Sequence, residues 1–154
     1  MGNIAEKLLP KNQTIEFNKP TLSKEELVTV LDCLVDDMLS SGLIKDRFEK
    51  DFKSTFKLRN VIAVNSLTSA YHLALIALGI TDNDPVLLST YAPHAALDAI
   101  LMLRAKPILV DLGKSSFHMD VEEFNHRVQE FSPNAILIDH SFGCLFDLKK
   151  YNTN

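Results

Sequence analysis

Residues 86–110, VLLSTYAPHAALDAILMLRAKPILV, decide the fold class of this chain. Two short apolar runs, Val86–Ser89 and Pro107–Asp111, flank a stretch from Ala95 to Leu103 that has helical spacing. A continuous apolar run of this length indicates a strand buried on both faces. A helix between two such strands is the crossover that a parallel pair requires. The stretch therefore predicts a β-α-β unit with parallel strands.

The same alternation continues on both sides of this unit. Val61–Val64 and Ala135–Ile138 are two further apolar runs. Helices are predicted at Ser66–Leu78, closed by Gly79, and at Val121–Glu130. Buried strands separated by helices predict an α/β fold, a three-layer sandwich with a mostly parallel sheet covered on both faces.

The N-terminal region has a different pattern. Residues 1–20 lack helical periodicity and predict an extended arm that ends at a proline. From Leu27 to Met38, apolar residues recur at spacings of three and four, which predicts an amphipathic helix. Thr21 or Ser23 is the expected N-cap of this helix.

A second helix is predicted over Asp46–Phe56. It places Phe48, Phe52 and Phe56 four residues apart on one face. An aromatic stripe at this spacing is typical of packing into a core, and we interpret it so.

Composition excludes several classes of function. The 154 residues carry a net charge of −4, which argues against binding to nucleic acid. The two cysteines, Cys33 and Cys144, have no metal-ligand spacing and support neither a zinc site nor a disulfide framework. No apolar run approaches the roughly 20 residues that cross a bilayer. We expect a cytoplasmic protein with no metal, no nucleic-acid partner and no membrane segment.

Candidate ligand-binding residues follow the apolar runs, because ligands of parallel sheets bind at the carboxyl ends of the strands. Asn65, Ser66, Leu67 and Thr68 follow the first run and open a helix. Backbone N–H groups and hydroxyls at a helix start form an anion site. A plain N-cap by Asn65 or Ser66 explains the same residues equally well.

The later runs are followed by other polar and aromatic residues. Tyr91 and His94 offer rings that can lie over a flat ligand, or Tyr91 packs while Pro93 begins a helix. Asp139 and His140 suggest acid-base chemistry, but neighbours in a strand point to opposite faces. We therefore predict no catalytic role for this pair.

Taken together, the motifs and their order resemble the DegT/DnrJ/StrS family of sugar aminotransferases along nearly the whole chain. The family signature AVNSGTAALHLAL reads AVNSLTSAYHLAL at Ala63–Leu75, and the family strand AKPVFVD reads AKPILVD at Ala105–Asp111. The elements FNMD and HLFG read FHMD at Phe117–Asp120 and HSFG at His140–Gly143.

The resemblance implies a fold-type-I architecture, with residues 21–154 forming part of the large domain. It implies pyridoxal phosphate at a dimer interface and a small-molecule substrate, a nucleotide-linked keto sugar of the kind used in polysaccharide biosynthesis. Thr68 matches the family's phosphate-binding threonine, and Ser66 lies in the same turn. Leu67 stands where the family has glycine. The family's ring-stacking aromatic falls at Pro93, beside His94.

The resemblance also implies that the catalytic groups lie elsewhere. The family's Schiff-base lysine and the aspartate that pairs with the pyridine nitrogen match no position up to Asn154. Asp139, Lys106 and Lys149 match other positions of the family. We therefore expect a truncated or half-length aminotransferase-family protein, inactive alone, that associates with a second copy or a complementing C-terminal chain. The alternative is a non-catalytic binding or assembly module on the same fold.

The strand order of the resembled fold bears on association. In that fold the second, third and fourth strands are adjacent, whereas Val61–Val64 pairs with a late strand. An open strand edge recruits other chains. We therefore expect a dimer or larger assembly, or a re-paired sheet in which Val61–Val64 joins its own neighbours.

Overall fold

The computed structural model describes residues 20–36, 40 and 42–151. The chain divides into two compact units, Met1–Val61 and Ile62–Asn154. The predicted N-terminal arm lies outside the described residues, apart from Pro20. In the part of the chain that is described, no helix is both long and apolar enough to cross a membrane.

The first unit contains two helices, α1 (Lys24–Val35) and α2 (Leu43–Phe56). Helix α1 begins where the sequence predicts, with Ser23 as N-cap. Ser23 Oγ accepts a hydrogen bond from the Glu25 N–H at 3.2 Å, and the Ser23 N–H donates to the Glu26 carboxylate at 2.7 Å. This reciprocal capping box satisfies N–H groups that a helix start leaves without partners. The predicted end of the helix, Met38, lies outside the described residues.

The interpretation of the aromatic stripe on α2 as core packing is wrong for the described chain. Phe48, Phe52 and Phe56 are 54%, 39% and 59% exposed. Their ring centroids are separated by 5.7 Å (Phe48 to Phe52) and 4.5 Å (Phe52 to Phe56), so the rings contact one another along the helix. Spacing of four residues places side chains on a common face but does not specify what covers that face.

The second unit is the α/β part of the molecule. Its α-helices and strands are α3 (Leu67–Ala77), β1 (Pro85–Ser89), α4 (His94–Met102), β2 (Lys106–Val110), α5 (Val121–Phe131) and β3 (Ala135–Leu137), and two short 3-10 helices follow at Ser141–Gly143 and Leu148–Lys150. The three strands form one sheet in the order β2-β1-β3, and both pairings are parallel. The central strand β1 places Leu87 opposite Ile108 on one side and Ile136 on the other.

Helices cover both faces of this sheet. On one face, Val86 and Leu88 of β1 pack in a buried cluster with Leu75 of α3 and Ile100 of α4. On the other face, Leu87 joins a second cluster, with members Ile108, Val110, Met119, Phe124, Phe146 and Tyr151. Successive residues of a strand point to opposite faces, so β1 contributes to both clusters. The predicted three-layer α/β sandwich with a parallel sheet is confirmed.

The strand predicted at Val61–Val64 is absent, because residues 61–64 belong to no strand of the described sheet. Ile62 is 76% exposed and Val64 is 40% exposed. A strand forms only where a neighbouring strand provides hydrogen-bond partners, and an apolar run does not specify that neighbour. The re-paired sheet is therefore wrong, whereas the adjacency of the other three strands is confirmed.

Replacement of Leu75 by alanine tests the first cluster. Leu75 is fully buried, and its truncation leaves a cavity, so we expect the free energy of unfolding to fall by about 2–5 kcal/mol. Leu73 lies on the same helix but is 49% exposed, and Leu73→Ala provides the matched control, with a change of about 1 kcal/mol or less. Urea unfolding followed by circular dichroism measures both. Equal losses from the two variants would contradict the described burial.

Candidate functional site

The topology identifies one edge of the sheet as the place for ligands. The three parallel strands end at the same edge. Helix α4, which follows β1, covers one face, and α5, which follows β2, covers the other. The chain therefore leaves β1 and β2 in opposite directions, and such a divergence opens a crevice at the carboxyl ends of the strands.

The start of α3 is an N-cap built from serine hydroxyls. Ser66 Oγ accepts a hydrogen bond from the Ser69 N–H at 3.0 Å and donates to Ser69 Oγ at 2.8 Å. Ser69 Oγ in turn donates to Asn65 Oδ1 at 3.1 Å. The prediction of Ser66 as a helix cap is thus confirmed, and its hydroxyl proton is already donated within the cap.

Donors for an anion remain in the same turn. The Ser69 and Ala70 N–H groups bind Ser66 Oγ and the Ser66 carbonyl, which leaves those of Leu67 and Thr68 without a partner in the helix. The half-buried Thr68 hydroxyl has no hydrogen bond within the described chain. The Leu67 side chain is 54% exposed. Two N–H groups and a hydroxyl at a helix start fit the phosphate group of pyridoxal phosphate.

His94 begins the neighbouring helix. It is the first residue of α4, follows the N-cap Pro93, and is exposed. Helices α3 and α4 pack against each other on one face of the sheet. Residues 78–84 join the end of α3 to the start of β1, and α4 follows the end of β1, so both helices begin at the carboxyl edge. The structure thus brings Ser66, Leu67, Thr68 and His94 to the same edge.

An electrostatic effect that the sequence did not reveal links Tyr71 of α3 to Asp139, which follows β3. Burial raises the pKa of the Tyr71 hydroxyl, and the Asp139 carboxylate raises it further. Asp139 also accepts a hydrogen bond from the Ser141 hydroxyl.

Asp139 and His140 have separate partners, although both lie beyond β3, which ends at Leu137, so the alternation of side chains along a strand does not apply to them. Asp139 accepts a hydrogen bond from the Ser141 hydroxyl, whereas His140 Nδ1 accepts one from the Phe146 N–H at 3.0 Å. The pair therefore does not form an acid-base couple.

Three aromatic rings meet at the same edge. Tyr91 follows β1, Phe117 follows β2 and Phe142 follows β3. The ring centroids lie 6.0 Å apart for Tyr91 and Phe117, 6.4 Å for Tyr91 and Phe142, and 4.9 Å for Phe117 and Phe142. Sequence reasoning considered Tyr91 alone, because the other two rings are distant in the chain.

The second unit also has a cavity of about 330 Å³, which other residues line. It is lined by residues of the loop after β2, by Val121 and Glu122 at the start of α5, and by Asp147, Lys150 and Tyr151. None of Ser66, Leu67, Thr68 and His94 lines it. The chemistry of the helix starts therefore identifies the candidate site better than cavity size does.

The raised pKa of Tyr71 predicts a specific pH dependence. The folded chain holds the Tyr71 proton more tightly than the unfolded chain does, so this stabilisation is complete below the ordinary pKa of 10.0 and is lost as the pH rises through the folded pKa. We expect Asp139→Asn to lower the pKa of Tyr71, measured by tyrosinate absorbance and assigned with Tyr71→Phe. Tyr151, whose pKa is raised by burial and then by Asp120, is the internal control. An unchanged Tyr71 pKa in Asp139→Asn would contradict an effect of the Asp139 charge on Tyr71.

Comparison with known proteins identifies the family of the chain. The family model described as DegT/DnrJ/EryC1/StrS aminotransferase family matches residues 20–153. The chain is 34% identical over 123 residues to the uncharacterized protein MJ1066 of Methanocaldococcus jannaschii, covering 80% of this chain and 32% of that protein. It is 30% identical over 136 residues to GDP-perosamine synthase of Vibrio cholerae, and the match covers 88% of this chain and 37% of that protein.

Solved structures show the same fold. A putative sugar aminotransferase from Streptococcus pneumoniae, in its PMP form, superposes with a TM-score of 0.80 at 22% identity, covering 90% of this chain and 35% of that one. The NtdA protein of Bacillus subtilis, with bound cofactor PMP, superposes with a TM-score of 0.71 at 27% identity, and the match covers 92% of this chain and 34% of that one. The chain thus spans about a third of the length of these proteins. Because the family model matches residues 20–153, the chain belongs to the DegT/DnrJ/EryC1/StrS aminotransferase family.

Proposed function

We propose that this chain supplies the phosphate-binding part of a pyridoxal-phosphate site in a sugar aminotransferase that acts on nucleotide-linked keto sugars. The start of α3 carries the proposal, because the N–H groups of Leu67 and Thr68 and the Thr68 hydroxyl remain available to an anion. Family membership supports the cofactor, and a relative named GDP-perosamine synthase supports the substrate class.

Each proposed residue has a separate role. The donors of Leu67 and Thr68 bind the phosphate, and the positive end of the α3 dipole adds to their attraction. Ser66 holds the turn in place by capping Ser69. His94 offers its ring to the flat face of the cofactor. When bound, pyridoxal phosphate supplies the electron sink that amino-group transfer requires.

The catalytic step itself needs groups that residues 1–154 do not provide in the family's pattern. Lys106 and Lys149 match other positions than the lysine that holds the cofactor covalently, and Asp139 matches another position than the aspartate of the pyridine nitrogen. We infer that these residues alone do not transfer amino groups. They associate, in the cytoplasm, with a second copy or with a complementing C-terminal chain, and of these only the complementing chain supplies the missing catalytic groups.

Leu67 favours a second candidate function. Glycine at this position lets a phosphate approach the helix start closely, whereas leucine adds a side chain beside it. A non-catalytic binding or assembly module does not need that approach. A measurement of pyridoxal phosphate binding distinguishes the aminotransferase from the binding or assembly module, because only the aminotransferase function requires this cofactor.

Variants of the α3 start test the cofactor proposal. We expect Thr68→Ala to weaken binding of pyridoxal phosphate about tenfold or more, because a hydrogen bond to a charged group is lost. Leu67→Gly is expected to strengthen it, with Leu67→Ala intermediate because only side-chain bulk is removed. Isothermal titration calorimetry measures the affinities. Pyridoxal without phosphate is the matched ligand, and its affinity should not respond to Thr68→Ala.

Two results would decide against the cofactor site. One is an affinity for pyridoxal phosphate that is the same in Thr68→Ala and in the unmodified chain. The other is no binding by Leu67→Gly, which would leave the start of α3 as a helix cap and favour the binding or assembly module.

Association is proposed from the apolar face of α1. Leu27, Leu31 and Leu34 are 58%, 58% and 51% exposed, and no described residue of α1 is buried. Full burial of such a side chain contributes about 1.5–3 kcal/mol. A second copy or a complementing chain that covers this face gains that stabilisation.

A charge placed on α1 tests association. We expect light scattering across a concentration series to show a dimer or larger assembly, and Leu31→Glu to shift it toward monomer because the buried charge is costly. Thr29→Glu places the same charge on the opposite face of α1 and should leave the assembly intact. A monomer at every concentration, or equal effects of both variants, would contradict the proposal.

A further inference from the structure

The three aromatic rings at the carboxyl edge form a cluster, Tyr91, Phe117 and Phe142, that the cofactor site does not use. Each ring comes from the loop after a different strand, so the sheet itself brings them together. They converge at the edge where the chain leaves β1 and β2 in opposite directions, which is the ligand-binding region of parallel sheets.

The rings of the cluster are open to a ligand. Tyr91, Phe117 and Phe142 are 48%, 47% and 73% exposed. The planes of each pair are inclined by 40–59°, so the rings do not stack face to face on one another. Several large rings that are exposed side by side form an apolar patch, and such patches mark interaction or ligand-binding sites.

The backbone at Phe142 holds its ring in an unusual conformation. Phe142 has φ 55, in the left-handed region that favours glycine, and Gly143 follows with φ 76. A bulky residue rarely adopts this conformation, and such strain concentrates at ligand-binding and active sites. The most exposed ring of the cluster is therefore also the one held at a conformational cost.

The chemistry of the cluster fits a flat ring attached to an anion. Nucleobases stack on tyrosine and phenylalanine through their π faces. Lys114 lies in the same loop as Phe117, three residues earlier, and is exposed without an ion pair in the described part of the chain. Its ammonium group gives this loop a positive charge for phosphate.

We propose that the aromatic cluster binds the base of a nucleoside diphosphate, the nucleotide part of the sugar substrate. The inference rests on the proposed function for the substrate class, but it uses residues other than Ser66, Leu67, Thr68 and His94. The cluster therefore contributes substrate recognition, separate from cofactor binding.

Titration calorimetry with guanosine diphosphate, guanosine and pyrophosphate tests the cluster. We expect guanosine diphosphate to bind, guanosine to bind more weakly, and Phe142→Ala or Phe117→Ala to weaken both at least about fivefold. Phe142→Tyr keeps a ring and should retain the affinity. Phe48→Ala and Phe56→Ala remove equally exposed rings outside the cluster and should change nothing. Circular dichroism confirms that each variant folds.

Several outcomes would overturn the inference. They are no binding of guanosine diphosphate, pyrophosphate binding as tight as that of the nucleotide, or the same loss in Phe48→Ala as in Phe142→Ala. Pyridoxal phosphate titrated into Phe142→Ala separates this inference from the proposed function. If the unmodified chain binds pyridoxal phosphate but not guanosine diphosphate, only the proposed base site is contradicted. If it binds guanosine diphosphate but not pyridoxal phosphate, only the proposed cofactor site is contradicted.

Discussion

The second unit depends on one constraint, the pairing of β1 with a parallel neighbour on each side. Both β2 and β3 take their hydrogen-bond partners from β1, and no other strand joins the described sheet. The same strand supplies Val86 and Leu88 to one buried cluster and Leu87 to the other. Because successive side chains of a strand point to opposite faces, five residues connect all three layers.

The site is a consequence of this pairing. Parallel strands in register must end at the same edge, so the segments after β1, β2 and β3 meet there although they are distant in sequence. The helix starts at Ser66 and His94 reach that edge because α3 and α4 run back along the sheet. A cap, a free hydroxyl and an aromatic cluster thus share one region without being neighbours in the chain. The edge therefore combines features for a phosphate and for flat rings.

Apolar surface remains in the described chain after both clusters have formed. Helix α1 buries none of its described residues, and the rings of α2 contact each other while staying exposed. Ile62 stays outside any strand and is exposed. The amphipathic pattern of the helices predicts that burial of these apolar residues stabilises the protein. It does not predict which surface covers them, because that surface exists only in the assembled protein.

The sequence by itself determined the local elements and the fold class. Periodicity of apolar residues and capping residues such as Ser23 and Ser66 act within a few positions, and they predicted the helices and three of the four proposed strands to within a few residues. The motifs around Thr68 were enough to indicate the family. Only the tertiary structure decided that residues 61–64 form no strand, that the charge of Asp139 raises the pKa of Tyr71, and that Tyr91, Phe117 and Phe142 converge. These features depend on contacts between segments distant in the chain, and local spacing carries no information about which distant segment becomes the partner.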